Sequence, residues 1–244
     1  MLREENSWRI DLAEITKAIK TNTKCIIINF PHNPTGAIIT KEELQGLVDI
    51  CRQHDIWLFS DEVYYGLGTP QKGWASPVCS LYDKALSLNV MSKSFGMAGL
   101  RVGWLACQDK NILHKIKQIK DYLSICCSAP AEIISIIAMQ NREYIWHRNN
   151  EIIRHNFALL EEFLRQYSEL FSWVKPQGGC IGFVKYHGKE TVNDFCDKLV
   201  KAKGVLLMPA NIYDHDSNHF RVGFGRKNMP DALERLKDFL NENL

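Results

Sequence analysis

A strand–helix–strand pattern near the start of the chain limits its fold more than any other feature. Residues 25–30 form a short, nearly unbroken apolar run rich in β-branched side chains, which is typical of a parallel strand covered on both faces. Residues 40–43 match a capping box and predict a helix that ends near His54. Its apolar side chains recur at helical spacing: Leu44, Leu47, Val48 and Cys51. Because a second apolar run follows at residues 57–60, the pattern predicts a βαβ unit and an α/β fold.

The remaining elements divide the chain into two parts. Further strands are predicted at residues 85–91, 101–107, about 182–184, 205–208 and 219–224. Helices are predicted around residues 12–19, 112–123, after Pro130, through 153–164, at 192–200 up to Gly204, and from Pro230 onward. The long run through residues 153–164 is the expected bridge between two domains. We therefore expect an α/β domain at residues 1–145 and a smaller α/β domain at residues 146–244.

Polar side chains follow three of the predicted strands. Asn33, Asp61 and Lys93 each lie just after the carboxyl end of a strand that is predicted to be parallel. Open α/β sheets bind their ligands at that edge. The sequence therefore predicts that these three unlike groups converge on one crevice.

Charge and cysteine usage argue against several other classes of protein. Thirty basic residues stand against 28 acidic ones, so no strong field is expected for nucleic acid or for a membrane surface. The eight cysteines show no C-x-x-C spacing, which favours buried, reduced thiols over a metal site. Neither a signal peptide nor an apolar run of membrane-spanning length is found. A cytoplasmic protein without a metal is the expectation.

The segment at residues 92–104 carries the strongest chemical signal. It places Lys93 at the mouth of an apolar strand, eight residues before Arg101, with glycines between them. A lysine at a buried edge can lose its proton and condense with an aldehyde. The glycines let the backbone pass close to a ligand, and the arginine can bind a phosphate through two hydrogen bonds. These are the requirements of a site that holds pyridoxal phosphate as a lysine Schiff base.

Four motifs together resemble class I/II aminotransferases. Residues 92–104 are similar to the lysine signature of that family, and residues 30–36 (Phe-Pro-His-Asn-Pro-Thr-Gly) to its asparagine-proline-threonine-glycine turn. Residues 60–66 resemble its aspartate and tyrosine motif, and residues 220–225 its C-terminal arginine strand. The four occur in the family's order, which is more specific than any single motif.

The resemblance implies a fold, an activity and an assembly. The fold would be a three-layer αβα large domain of the pyridoxal-phosphate transferase type, incomplete here, followed by a smaller C-terminal α/β domain. The activity would be transfer of an amino group between an α-amino acid and a 2-oxo acid, in amino acid metabolism and biosynthesis. Relatives usually form homodimers, so a homodimer is expected.

The resemblance also implies a role for each matching residue. Lys93 would form the Schiff base and act as general base and acid, and Asp61 would keep the cofactor's ring nitrogen protonated. Tyr64 and Asn33 would hydrogen-bond the cofactor's phenolic oxygen, and Asn33 also lies among the substrate-binding positions. The remaining assignments are Ser92 and Arg101 for the cofactor phosphate and Arg221 for the substrate carboxylate.

Each of these residues also has an ordinary structural interpretation. Lys93 could be a solvated surface lysine, Asp61 the cap of a turn and Asn33 part of an Asn-Pro turn. Tyr64 could be a packed aromatic side chain, and Arg221 an exposed strand residue. The presence of all four motifs favours the functional interpretation.

The chain departs from the family pattern in ways that leave alternatives open. The resemblance begins in the family's middle, and the N-terminal segment with its glycine-containing phosphate loop is not seen. Val90 stands where relatives often have threonine or serine, and Ala210 where glycine is common. One alternative is a carbon–sulfur β-lyase, which uses the same lysine and aspartate. The other is a truncated remnant without activity.

Overall fold

The computed structural model describes residues 2–68 and 73–243. Within this part of the chain lie seven α-helices and eight β-strands. The helices are α1 Leu12–Ala18, α2 Lys41–Gln53, α3 Lys110–Leu123, α4 Ala129–Gln140, α5 Arg142–Gln166, α6 Val192–Lys203 and α7 Met229–Asn243. The strands are β1 Cys25–Asn29, β2 Trp57–Asp61, β3 Ala85–Val90, β4 Gly103–Ala106, β5 Phe171–Trp173, β6 Ile181–Tyr186, β7 Met208–Pro209 and β8 His219–Gly223.

The first sheet has the strand order β1-β2-β3-β4. The β1/β2 and β2/β3 pairs are parallel, whereas β4 runs antiparallel to β3. The predicted βαβ unit is therefore confirmed, because α2 connects two neighbouring parallel strands. In this register Asn29 lies opposite Asp61, so β1 and β2 end at the same edge of the sheet.

Local sequence signals determine how α2 and α6 begin and end. Thr40 accepts a hydrogen bond from the backbone of Glu43, whose side chain in turn accepts one from the backbone of Thr40, so the predicted capping box is present. The predicted apolar face of α2 is buried: Leu44, Leu47, Val48 and Cys51. Helix α6 is capped at its C-terminus by Gly204, which has a left-handed φ of 67°.

The second sheet is antiparallel, with the order β5-β6-β8-β7. Three sequence expectations differ from what is observed. The short strand β5 was not predicted, and β7 covers only Met208–Pro209 rather than residues 205–208. The fourth strand begins at Gly103 instead of residue 101, because Arg101 adopts a left-handed φ of 55° that a strand cannot accommodate.

The hydrophobic core joins the two sheets. Val63, Tyr64 and Leu67, which follow β2, pack in one cluster with residues of the second sheet and of α5–α7. Conversely, Phe183 of β6 belongs to the cluster that contains α2 and the first sheet. The turn that follows Asp61 is therefore held against the second sheet.

An apolar surface remains exposed on α3 and α4 and on the segment between them. We call it the α3–α4 surface, and its members are Ile119, Tyr122, Leu123, Ile125, Ile133, Ile134, Ile136, Ile137 and Met139. On α4, the buried residues are small: Ala131, Ser135 and Ala138. The large side chains of this helix therefore face outward. Among the helices of residues 2–68 and 73–243, none has the length and apolar character needed to cross a membrane.

The eight cysteines are free thiols. Cys51 and Cys196 are buried, as expected from their apolar surroundings. Cys25 and Cys126 are exposed, so the prediction of buried thiols is wrong for these two positions. Cys25 lies on β1, an edge strand, and Cys126 lies in the exposed segment between α3 and α4, so neither is covered by the elements that the sequence led us to expect.

Candidate active site

The ends of β1 and β2 are linked through Asn29. Its side-chain Nδ2 donates to the carbonyl oxygen of Asp61 at 3.1 Å, and its Oδ1 accepts from the backbone N–H of Asn33 at 2.9 Å. The turn that carries Asn33 is thereby fixed to the strand end that carries Asp61. Sequence reasoning missed Asn29, because it was interpreted only as part of an apolar strand.

The Asp61 carboxylate lies half-buried at the edge of the first sheet. One of its oxygens, Oδ1, accepts a hydrogen bond from the backbone N–H of Val63 at 3.1 Å. Burial raises the pKa of Asp61, while the Val63 hydrogen bond, the positive charge of Lys93 and the side chain of Asn29 lower it to a smaller extent. Asp61 is therefore close enough to Lys93 for the two charges to interact.

Lys93 lies in the turn that follows β3, on the same edge of the sheet. Its side chain is exposed, and its Nζ is 5.5 Å from the centre of the Tyr64 ring. Within the part of the chain that the structure describes, no carboxylate lies within ion-pair distance of this ammonium group. Lys93, Asp61 and Tyr64 thus come together, with the amine left accessible.

Tyr64 forms the buried wall beside Lys93. Its side chain is only 5 % exposed, and burial raises the pKa of its hydroxyl to about 12. The phenol therefore stays protonated at neutral pH and can donate a hydrogen bond. The positive charge of Arg221 acts in the opposite direction on this pKa, which places the arginine near Tyr64. We call the region around Asp61, Tyr64 and Lys93 the cleft.

Arg221 reaches the cleft from β8 of the second sheet. Its Nη1 donates to Oδ1 of Asn33 at 3.1 Å, and its Nη2 lies 2.8 Å from the sulfur of Met208. The guanidinium carbon lies 5.7 Å from the centre of the Tyr213 ring. Asn33 and Arg221 are therefore brought together from opposite ends of the chain. Met208 and Tyr213, which hold the guanidinium in place, were not predicted.

Cys180 is a further residue of the cleft that sequence reasoning missed. It directly precedes β6, and burial raises the pKa of its thiol to about 11. The charges of Lys93 and Arg221 both act to lower this pKa, so the thiol is near both side chains. No sequence signal distinguishes it from the other cysteines, because its position depends on the contact between the two sheets.

Ser92 and Arg101 lie in the same turn region but contribute less to the observed contacts. Ser92 is half-buried. Arg101 is exposed, and its Nη1 donates to the carbonyl oxygen of Ala98 at 3.2 Å. Among the described residues, neither side chain makes a hydrogen bond to Asp61, Tyr64 or Arg221. The cluster of contacts is thus formed by Asn33, Asp61, Tyr64, Lys93 and Arg221, with Cys180 and Tyr213 beside them.

Comparison with known proteins defines the class to which this fold and cleft belong. The family model described as "Aminotransferase class I and II" matches residues 1–236. The chain therefore belongs to the class I and II aminotransferase family, whose members depend on pyridoxal phosphate. The α/β class expected from the sequence is confirmed.

Individual relatives are moderately similar in sequence and close in structure. The chain is 30% identical to the aspartate aminotransferase of Thermotoga maritima over 96% of this chain and 61% of that protein. It is 27% identical to capreomycidine synthase of Streptomyces vinaceus over 91% of this chain and 57% of that protein. A solved pyridoxal-phosphate-dependent aminotransferase from Streptococcus suis 89-1591 superposes with a TM-score of 0.91 at 30% identity, covering 99% of this chain and 63% of that one. The chain thus spans about three fifths of the length of the relatives it matches.

Proposed function

We propose that the chain acts in pyridoxal-phosphate-dependent transfer of an amino group between an α-amino acid and a 2-oxo acid. The observation that carries the proposal is the proximity of an accessible amine, Lys93, to the Asp61 carboxylate in a cleft that also contains Arg221. Membership of the aminotransferase family supports the same activity.

The chemistry of the side chains in the cleft fits the cofactor. The amine of Lys93 forms no ion pair with a carboxylate among the described residues, and it would hold the cofactor's aldehyde end. Asp61 would face the ring nitrogen, where its negative charge favours the protonated form. Tyr64 and Asn33 would donate to the phenolic oxygen. For the phosphate, we propose Ser92 and Arg101.

When bound, pyridoxal phosphate supplies an aldehyde that takes up the amino group and a ring that withdraws electrons from the substrate's α-carbon. The protein's own residues would do the rest. Arg221 would bind the α-carboxylate through two parallel hydrogen bonds, oriented by Asn33 and Tyr213. Lys93 Nζ would then take a proton from the substrate's α-carbon and donate it to the carbon supplied by the cofactor's aldehyde group.

We also propose a domain boundary, an assembly and a location. Residues 1–145 would form the cofactor-binding domain and residues 146–244 the smaller domain. A homodimer is supported by the α3–α4 surface, because large exposed apolar surfaces mark interaction sites. The free thiols support a cytoplasmic location. Sedimentation of the purified chain tests the assembly, since Ile133→Lys should weaken a dimer and a monomeric wild-type chain would refute it.

A cofactor-trapping experiment tests the proposed site. The chain is mixed with pyridoxal phosphate, reduced with borohydride and digested, and the labelled peptide is identified by mass spectrometry. We expect the label on Lys93 and its loss in Lys93→Ala, with Lys117→Ala as the control because that lysine is also exposed but lies on α3. A label distributed over many lysines, or unchanged in Lys93→Ala, would overturn the assignment.

A second assay separates amino transfer from carbon–sulfur cleavage. Amino transfer requires a 2-oxo acid and converts it to the matching amino acid. A β-lyase instead releases pyruvate and a thiol without any acceptor. We expect product only when a 2-oxo acid is present. Acceptor-independent release of pyruvate from a cysteine conjugate would support the lyase.

A further inference from the structure

Three asparagines of α5 hydrogen-bond to segments that carry or follow the site residues. Asn149 and Asn156 are seven residues apart and lie on the same side of the helix, whereas Asn150 lies about 100° further around it. Asn156 is 1% exposed and Asn149 and Asn150 are half-buried, so these are not surface amides. Each of them hydrogen-bonds the backbone of a different loop.

Asn149 holds the turn of Lys93. Its Nδ2 donates to the carbonyl oxygen of Ser94 at 3.0 Å, directly after the lysine. The Ser94 hydroxyl, in turn, donates to the carbonyl oxygen of Val63 at 3.1 Å, and Ser94 is only 1% exposed. Ser94 is therefore bonded on one side to α5 and on the other to the turn between Asp61 and Tyr64.

Asn150 holds the loop that follows Tyr64. Its Oδ1 accepts from the N–H of Gly68 at 2.7 Å, and its Nδ2 donates to the carbonyl oxygen of Gly66 at 2.9 Å. The amide thus uses both its donor and its acceptor on one loop.

Asn156 holds the segment that follows Arg221. Its Nδ2 donates to the carbonyl oxygens of Phe224 at 2.9 Å and Arg226 at 2.7 Å. This segment continues from β8 of the second sheet, whereas the other two loops continue from the first sheet. One helix thus bonds to loops from both sheets.

We propose that Asn149 and Asn150 are positioning residues that set the placement of Lys93 and Tyr64 through the backbone, with α5 as the common support. The consequence for catalysis rests on the function proposed above, but the positioning itself does not. Loss of a single amide contact should loosen one loop and leave the other unchanged, because each asparagine bonds to a separate segment.

Hydrogen–deuterium exchange of the chain without cofactor tests the positioning. In Asn149→Ala, amides at residues 91–97 should exchange about tenfold faster, while those at residues 66–68 keep the wild-type rate. The Asn150→Ala variant should show the reverse. Asn193→Ala, an exposed asparagine on α6, is the matched control and should change neither segment.

A near-isosteric variant separates the hydrogen bond from packing. Asn149→Asp keeps the size of the side chain but replaces the donor with an oxygen that faces the Ser94 carbonyl. It should therefore behave like Asn149→Ala. If Asn149→Asp exchanges like the wild type, or if Asn149→Ala and Asn150→Ala each loosen both loops equally, the proposal is wrong.

Binding of pyridoxal phosphate provides the functional readout. Binding is followed through the absorbance of the bound cofactor. The concentration of pyridoxal phosphate needed for half-saturation should rise several-fold in Asn149→Ala and stay unchanged in Asn193→Ala. An unchanged value in Asn149→Ala despite faster exchange would overturn the link to Lys93. A wild-type chain that binds no cofactor would refute the proposed function, while the exchange result would still decide whether α5 positions the loops.

Discussion

The buried carboxyl group of Glu62 offers a test of how the end of β2 is held. Glu62 directly follows Asp61 and is 6% exposed. Its Oε1 accepts hydrogen bonds from the backbone N–H of Val78 at 3.0 Å and from the hydroxyl of Ser87 at 2.9 Å. The acid therefore connects the edge of the cleft to two other parts of the first half of the chain.

Replacing Glu62 with alanine should destabilise the chain strongly. Two buried donors, the Val78 N–H and the Ser87 hydroxyl, would lose their acceptor. Each buried group without a partner costs about 1–3 kcal/mol, so we expect the free energy of unfolding to fall by about 2–6 kcal/mol. Glu62→Gln keeps an acceptor oxygen in the same place. At acidic pH, this variant should lose only about 1 kcal/mol or less of the free energy of unfolding.

The pH dependence of stability gives a second, independent signature. Burial raises the pKa of Glu62 above its ordinary value of 4.5, and the charge of Asp61 raises it further. The folded state therefore binds this proton more tightly than the unfolded state. The contribution of protonated Glu62 to the free energy of unfolding is fully present below about pH 4.5 and is lost as the pH rises through the folded-state pKa.

Urea unfolding of both variants and the wild type from pH 4 to pH 8 measures these effects. As the pH rises, the wild type should lose stability relative to Glu62→Gln, because glutamine has no proton to lose. Equal losses for the alanine and glutamine variants would refute the hydrogen-bond argument. A difference that does not change with pH would refute the argument from burial.

Three further predictions concern the substrate end, the core and the turn of Asn33. Arg221→Lys should raise the half-saturating concentration of the amino acid roughly 10- to 100-fold in steady-state kinetics, because one charge-assisted hydrogen bond is lost, whereas exposed Arg226→Lys should not. Leu47→Ala, at a fully buried position, should cost about 2–5 kcal/mol in urea unfolding, and Leu206→Ala, at 71% exposure, about 0.5 kcal/mol or less; similar losses at both would contradict the burial assignment. Gly36→Ala should lower stability by at least about 2 kcal/mol, because its φ is +70° and an added methyl group would lie 2.5 Å from the nearest side-chain atom; a neutral effect would contradict this geometry.

The parts of the fold that the sequence predicts best are those governed by local chemistry. The capping box at Thr40 and the buried face of α2 follow from residues within four positions of one another. The convergence of Asn33, Asp61 and Lys93 follows from a general property of parallel sheets, since all three come after strands that end at one edge. These inferences need no knowledge of distant contacts.

The parts that the sequence does not predict depend on contacts between distant segments. Met208 and Tyr213 hold the guanidinium of Arg221 only because β7 pairs with β8 in one register. Cys180 enters the cleft because β6 packs beside the first sheet. No periodicity or motif within either segment indicates these neighbours. The left-handed backbone of Arg101 is equally hidden, because its residue type gives no reason to expect a positive φ.

The cleft is a property of the junction between the two sheets rather than of either one. Its amine and carboxylate belong to the first sheet, and its guanidinium to the second. Their relative placement depends on the core cluster in which Val63 and Tyr64 pack with residues of the second sheet, and on α5, which bonds to loops of both. The substrate binding proposed for Arg221 and the proton transfer proposed for Lys93 would therefore depend on the same tertiary contacts, so a change at the junction should impair both together even where neither residue is altered.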